Sequence, residues 1–172
     1  MRKIRYNVAM SLDGYISGPN GEADWIVRDT DVNFAELWAQ FGTLLMGRKT
    51  YHAAKLRLGE SAFQGVKVAA ASRTMKQSEH PTITVISELT GESIQKLRKQ
   101  AAKDVWLMGG GELFRALLEM DEVDTVEVSI MPVLLGEGVK LLPSTLAQTR
   151  LKLVSQRIYR SGIVSLAYEI DK

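Results

Sequence analysis

The sequence predicts an α/β protein: a mixed, mostly parallel sheet with helices on both faces, closed by a C-terminal antiparallel hairpin. Three observations predict it. Short apolar runs alternate with helix-period segments through the first two thirds of the chain. Two of the buried runs, at 43–47 and 105–108, meet glycine immediately before a helix start. The last third changes to period-two alternation, at 126–130 and again at 164–170 just beyond Arg160-Ser161-Gly162, where the run 151–159 would pair with the last strand as a hairpin.

Taken in order, Ile4, Tyr6, Val8 and Met10 alternate with Arg5, Asn7 and Ala9, which predicts the first strand. SLDGYISGPNGEAD then carries three glycines, a proline and an Asn-Gly pair, and predicts a long loop. A helix is expected from Thr30 or Asp31, with Phe34, Leu37, Trp38 and Phe41 on one face. TLLMG at 43–47 predicts a buried strand, followed by a helix from Lys49 to near Arg57. VKVAAAS at 66–72 and TITVIS at 82–87 predict two more strands, and Ile94, Leu97 and Ala101 mark a helix face before the strand VWLM at 105–108. Three glycines break the chain at 109–111, ahead of a helix carrying Leu113, Leu117 and Leu118. Val126, Val128 and Ile130 predict the next strand, and the runs 151–159 and 164–170 predict the hairpin.

Composition narrows the function classes. At 172 residues and 45% hydrophobic content the chain encloses one substantial core, so a single domain spanning 1–172 is expected. No cysteine occurs, which excludes disulfides, a thiolate nucleophile and a thiolate zinc site. The two histidines, His52 and His80, stand in no ligand-like spacing, so no metal centre is expected. The first ten residues do not resemble a signal peptide and no run is long enough to span a membrane; a cytoplasmic protein without a membrane partner is expected. The formal charge is +2, and the small basic groups Arg2, Lys3, Arg5 and Lys96, Arg98, Lys99 read as solvated faces of ordinary elements, not as a nucleic-acid footprint.

Chemistry concentrates where strands give way to glycine. In VWLMGGGELFRALLE the glycines leave room beside a helix start whose free amides and dipole favour a phosphate; a plain tight turn is the alternative. The fourth glycine of G-x-G-x-x-G is absent, since Phe114 stands there. LLMGRKTY repeats the arrangement with Arg48, Lys49 and Thr50, or else carries ordinary surface charge. Ser72 and Arg73 offer a hydroxyl and a guanidinium for the 2′-phosphate of NADPH, or a capped turn with an exposed arginine; no acid stands there to favour NADH. Asp31 is the candidate catalytic and substrate-anchoring acid, or a helix cap. Trp25 would wall the substrate pocket or pack on the core. Asp13 beside Gly14 reads as a turn former, His52 as structural, and PVLLGEG at 132–138 as a turning loop.

With these segments in order, VAMSLDGYISGPNGEADW, LLMGRKTY, VWLMGGGELFRALLE and VDTVEVSIMPVLLGEG together resemble the dihydrofolate reductase-like superfamily. The resemblance is strongest to the C-terminal reductase domain of bifunctional riboflavin-biosynthesis deaminase-reductases, the RibD C-terminal domain, here as a stand-alone member. It implies an eight-stranded sheet and an NADPH-dependent reductase that transfers hydride to a small heterocycle, such as a phosphoribosylamino-uracil; reduction of a pterin and non-catalytic nucleotide binding are the alternatives. It further implies that Ala9 and Ile16 border the nicotinamide, and that Gly47, Arg48, Lys49 and Thr50 contact cofactor phosphates. Ser72 and Arg73 would lie at the adenosine end, and Gly109, Gly110, Gly111, Glu112 and Leu113 around the diphosphate. Asp31, Trp25 and Phe34 would face the substrate. WIVRDTD at 25–31 departs from the folate-reducing pattern, and the missing cysteines exclude a deaminase site from this chain. Exposed strand edges leave a homodimer open.

Overall fold

A computed structural model describes residues 2–59, 63–144 and 148–171. Along the chain run β1 (Ile4–Ser11), β2 (Tyr15–Ser17), α1 (Phe34–Ala39), β3 (Phe41–Gly47), α2 (Arg48–Leu58), β4 (Lys67–Ala71) and β5 (Thr84–Ile86). They are followed by α3 (Gly91–Gln100), β6 (Asp104–Gly109), α4 (Gly111–Glu119), β7 (Thr125–Met131), β8 (Val139–Lys140), β9 (Leu151–Ile158) and β10 (Val164–Ile170). Eight strands form one sheet in the order β5-β4-β3-β6-β1-β7-β10-β9. All neighbours through β7 are parallel, and β10 and β9 close the sheet antiparallel, as the alternation in the last third predicts.

The sheet buries both faces, which is why its central strands read as unbroken apolar runs. On one face α3 and α4 set Ile94, Leu97, Leu113, Phe114 and Leu117 against Ile4, Tyr6 and Leu107; on the other, α1 and α2 set Leu37, Trp38 and Tyr51 against Leu44, Met46 and Trp106. Full burial of a side chain such as Leu117, at 0% exposure, stabilises the fold by about 2–3 kcal/mol. Tyr6 and Phe114 stack at 3.8 Å between centroids, joining β1 to α4.

Several expectations need correction. The first helix does not begin near Thr30 or Asp31: it starts at Phe34, because Asn33 provides the cap by accepting from the Glu36 amide at 3.0 Å. Phe41 is not on that helix; it opens β3, where its ring packs against Trp106 at 4.9 Å. Inside the predicted loop, β2 pairs with β8 as a small second sheet. Nor are the basic groups uniformly solvated. Arg98 is 4% exposed and donates to the Glu122 carboxylate (3.1 Å), the Asp124 carboxylate (2.6 Å), and the Glu122 and Arg2 carbonyls (2.7 Å each). This knot ties α3 to the beginnings of β1 and β7. Arg5 likewise turns into the sheet face and grips Glu127 through both carboxylate oxygens, at 2.6 and 2.8 Å.

Connectivity fixes where a ligand has room. β3 and β6 are neighbours, yet β3 leads through α2 towards one edge and β6 leads through α4 towards the other, on opposite faces. Such a reversal opens a crevice at the carboxyl ends of the two strands. β1 widens it: its pairing with β6 stops at Tyr6–Leu107, whereas its pairing with β7 runs on to Ser11–Met131.

Candidate functional site

The two glycine-ended strands meet in this crevice. Met46 is registered with Gly109, so Gly47 and Gly110 stand side by side; a Cβ placed on Gly47 would lie 3.9 Å from the Gly110 nitrogen, and one on Gly110 would lie 3.7 Å from Thr50 Oγ1. Both glycines are helix N-caps without a side-chain cap bond, so the first-turn amides of α2 and α4 open into the crevice from opposite faces. Ile16 joins from β2, with its Cδ1 3.9 Å from a Cβ placed on Gly109.

Each glycine answers differently why it is glycine. Gly109 needs it for its backbone, at φ 122°, and the peptide to Gly110 is cis. Gly111 needs it for packing, because a Cβ would meet the Lys140 carbonyl at 2.6 Å and Pro143 at 2.9 Å; here the plain tight-packing account holds. Gly47 needs it for neither: its φ is −74° and no protein atom stands within 3.9 Å of an added Cβ. Gly110, at φ −87°, has nothing closer than 3.7 Å. An added Cβ at either would make ordinary van der Waals contact without a clash among the described residues.

The flanking cations are unengaged. Arg48 and Lys49 are exposed on the first turn of α2, and Arg73 is exposed after β4, none with an ion pair or side-chain hydrogen bond among the described residues. Ser72 is differently occupied: its hydroxyl accepts from the Thr74 and Met75 amides at 3.2 and 3.1 Å, a turn-capping role that leaves its proton for Thr74 Oγ1 or another acceptor. Glu112 is exposed on the first turn of α4, where it pairs with Arg115 at 3.0 Å, and Leu113 is buried. Ala9 lies on β1 opposite Ser129, whose hydroxyl meets that of Ser165 at 2.9 Å.

The expected substrate residues are less gathered. Asp31 is exposed and its carboxylate has no partner among the described residues; its amide donates to Asp29 Oδ1 at 2.8 Å and its carbonyl accepts from Arg157 at 3.4 Å. It does not cap α1. Trp25 is half-buried and donates through Nε1 to the Glu22 carbonyl at 3.0 Å, and Phe34 is 54% exposed.

Asp13 does more than form a turn. It accepts from Ser11 Oγ (2.6 Å) and from the Gly136 and Leu135 amides (2.7 and 3.1 Å), latching the end of β1 to the 132–138 loop. The Ser11 hydroxyl and those amides hold its carboxyl down at about 2. Sequence spacing gave no sign of this latch. Arg98 did leave a signal: it falls four residues after Ile94 on the apolar stripe of α3. Two surface hollows lie away from the crevice: one of about 330 Å³ around the Arg98 knot, where the charges already have partners, and one of about 350 Å³ between β5 and α3.

The strand order, the crossovers and the closing hairpin define a dihydrofolate reductase-like fold. The chain belongs to the RibD C-terminal domain family, whose model matches residues 2–165. It is 32% identical to the uncharacterized protein YyaP of Bacillus subtilis (strain 168) over 178 residues, covering 97% of this chain and 94% of that protein. Its structure is similar to that of a protein assigned to riboflavin biosynthesis from Shewanella sp. PV-4, with a TM-score of 0.84, 23% identity and full coverage of both chains. Dihydrofolate reductase from Enterococcus faecalis, solved with NADP(H), superposes with a TM-score of 0.68 at 17% identity, over 99% of this chain and 97% of that one. Among the described residues no helix is long and apolar enough to cross a membrane.

Proposed function

We propose that this chain is an NADPH-dependent reductase that delivers hydride to a small heterocyclic substrate, in the manner of the 5-amino-6-(5-phosphoribosylamino)uracil reductases. The observation that carries the reading is the pair Gly47 and Gly110, which neither backbone conformation at Gly47 nor packing at either position requires, side by side at two helix starts without side-chain caps. An extended diphosphate fits that need: it takes the free amides, and any side chain on either glycine would occupy its path.

In this reading the amides at Gly110–Leu113 and Gly47–Thr50 hold the diphosphate, with Arg48 and Lys49 adding charge. Arg73 and the Ser72 hydroxyl take the 2′-phosphate, Glu112 flanks the site through its backbone, and Gly109, Ala9 and Ile16 border the ring. The bound cofactor supplies a hydride from C4 of its nicotinamide. The protein contributes position and exclusion of water between β1 and α1, with Trp25 and Phe34 at the mouth. Asp31 or an ordered water supplies the proton. Leu151, Leu153, Val154 and Ile158, between 44% and 77% exposed on the edge strand β9, support a homodimer through that edge.

NADPH titration by fluorescence, followed by a substrate panel of phosphoribosylamino-uracils and pterins read as NADPH oxidation, tests the reading. Arg48→Ala is expected to weaken NADPH about tenfold, the loss of one charge-assisted contact, and Gly110→Asp to abolish binding. Wild-type affinity in both variants, or no binding by the native chain, refutes it. Binding without oxidation across the whole panel favours a nucleotide-binding protein instead.

A further inference from the structure

The chain has two histidines in 172 residues, and the fold brings them together. His52 lies on the second turn of α2; His80 follows a short 3-10 turn, Gln77–Glu79, in the connection from β4 to β5. Their ring centroids are 6.3 Å apart at a 64° tilt, and both rings lean on Tyr51, at 5.4 and 5.9 Å. Tyr51 is buried at 4% exposure, so the shelf under the pair is fixed. His52 is exposed and His80 half-buried, and neither imidazole has a hydrogen-bond partner among the described residues. Packing does not explain two unbonded imidazoles on one aromatic shelf, and the reductase reading makes no use of them.

We infer that His52 and His80 form a two-imidazole clamp for a late first-row divalent cation such as Zn²⁺, with water completing the coordination shell. A metal bonded to one nitrogen of each ring at about 2.0–2.1 Å places the two centroids roughly 5–6.5 Å apart, depending on the angle at the metal. The observed 6.3 Å lies at the wide, near-linear end of that range, so a tetrahedral Zn²⁺ needs the two rings to draw about 1 Å closer. A small swing of the exposed His52 side chain sets the nitrogens on the ion. Imidazole suits Zn²⁺, Ni²⁺ and Cu²⁺, and with no cysteine in the chain no thiolate competes for them. Glu79 is engaged with Lys76 at 3.6 Å, and no third acidic or imidazole ligand completes a protein-only site among the described residues, so the clamp is open and exchangeable rather than structural. Occupied, it ties α2 to the β4–β5 connection from outside the crevice.

The test uses the untagged full chain and Zn²⁺ alone, so it stands or falls apart from the reductase reading. Calorimetric titration at pH 7.5 is expected to show one Zn²⁺ per chain, weakened about tenfold or more by His52→Ala and by His80→Ala, because the second imidazole then no longer binds as an intramolecular step. Circular dichroism checks that the variants fold. The native chain provides a second readout free of mutation: its two imidazole C2 proton resonances shift in step with Zn²⁺ and return when a chelator removes the metal. No binding, affinity unchanged in either variant, or a shift in only one of the two resonances overturns the inference.

Discussion

Gly110 and Gly111 are neighbours in sequence with opposite reasons for being glycine, and alanine at each separates them. At Gly111 the new methyl carbon would sit 2.6 Å from the Lys140 carbonyl oxygen, 2.9 Å from Pro143 Cδ and 3.2 Å from the Leu141 carbonyl oxygen. Two of these three contacts are backbone and the third is a proline ring, so none can swing aside; the segment at 140–143 must shift as a whole. Overpacking of this kind costs about 3 kcal/mol at the upper end of its usual range. Replacing a helical glycine by alanine returns up to about 1 kcal/mol, which leaves a net loss of roughly 2 kcal/mol. For a chain of this size that lowers Tm by about 4–8 °C. At Gly110 the methyl carbon meets nothing nearer than 3.7 Å, and the change is expected to move Tm by under about 2 °C while weakening NADPH. Thermal unfolding of the ligand-free variants, followed by near-ultraviolet circular dichroism, gives the comparison. Equal Tm losses at the two positions, or none at Gly111, would show that the two glycines are not packed differently and that α4 does not rest on 140–143.

Replacing Arg98 by methionine removes the counter-charge from the Glu122 and Asp124 carboxylates, which keep hydrogen bonds from Gln95 and from the Ile4 amide, and is expected to cost about 3 kcal/mol, seen as a lower urea midpoint with little change in NADPH affinity. Burial alone would push the Glu127 carboxyl up, but the hydrogen bonds and charge of Arg5, helped by Thr125 and Asn7, outweigh it and hold it below its ordinary 4.5. Because the folded value is the lower one, the pair's stabilisation is complete above about pH 4.5 and fades as pH falls through the folded value. Between pH 5 and pH 3 the urea midpoint of Glu127→Gln should therefore fall less steeply than that of the native chain; parallel curves would count against the pairing.

Much of the architecture was legible because it rests on period and on glycine placement. The last strand shows two-residue alternation just beyond a Gly-containing turn, and β3 and β6 end at glycine. The start of α1 was not: Thr30, Asp31 and Asn33 are all good caps, and the choice of Asn33 depends on Phe41 being drawn into the sheet beside Trp106. The β2–β8 ladder is only two pairs long, too short to leave a pattern. Asp13 reads as a turn former because the amides it latches, at Leu135 and Gly136, lie more than a hundred residues away. Arg98 was misread as solvated although its place on the apolar stripe pointed inward. At the candidate site the glycine-flanked helix starts were readable, their side-by-side placement was not, and the meeting of His52 with His80 has no trace in their spacing.

The Arg98 knot clamps the strands where they enter the sheet, while the crevice lies where β3 and β6 leave it. Six residues of β6 separate the two, about 20 Å of extended chain. Anchorage and the proposed cofactor crevice thus occupy opposite poles of one slab. Selection can redraw the pole at Gly47 and Gly110 for a new ligand without loosening the fastening on which the rest depends.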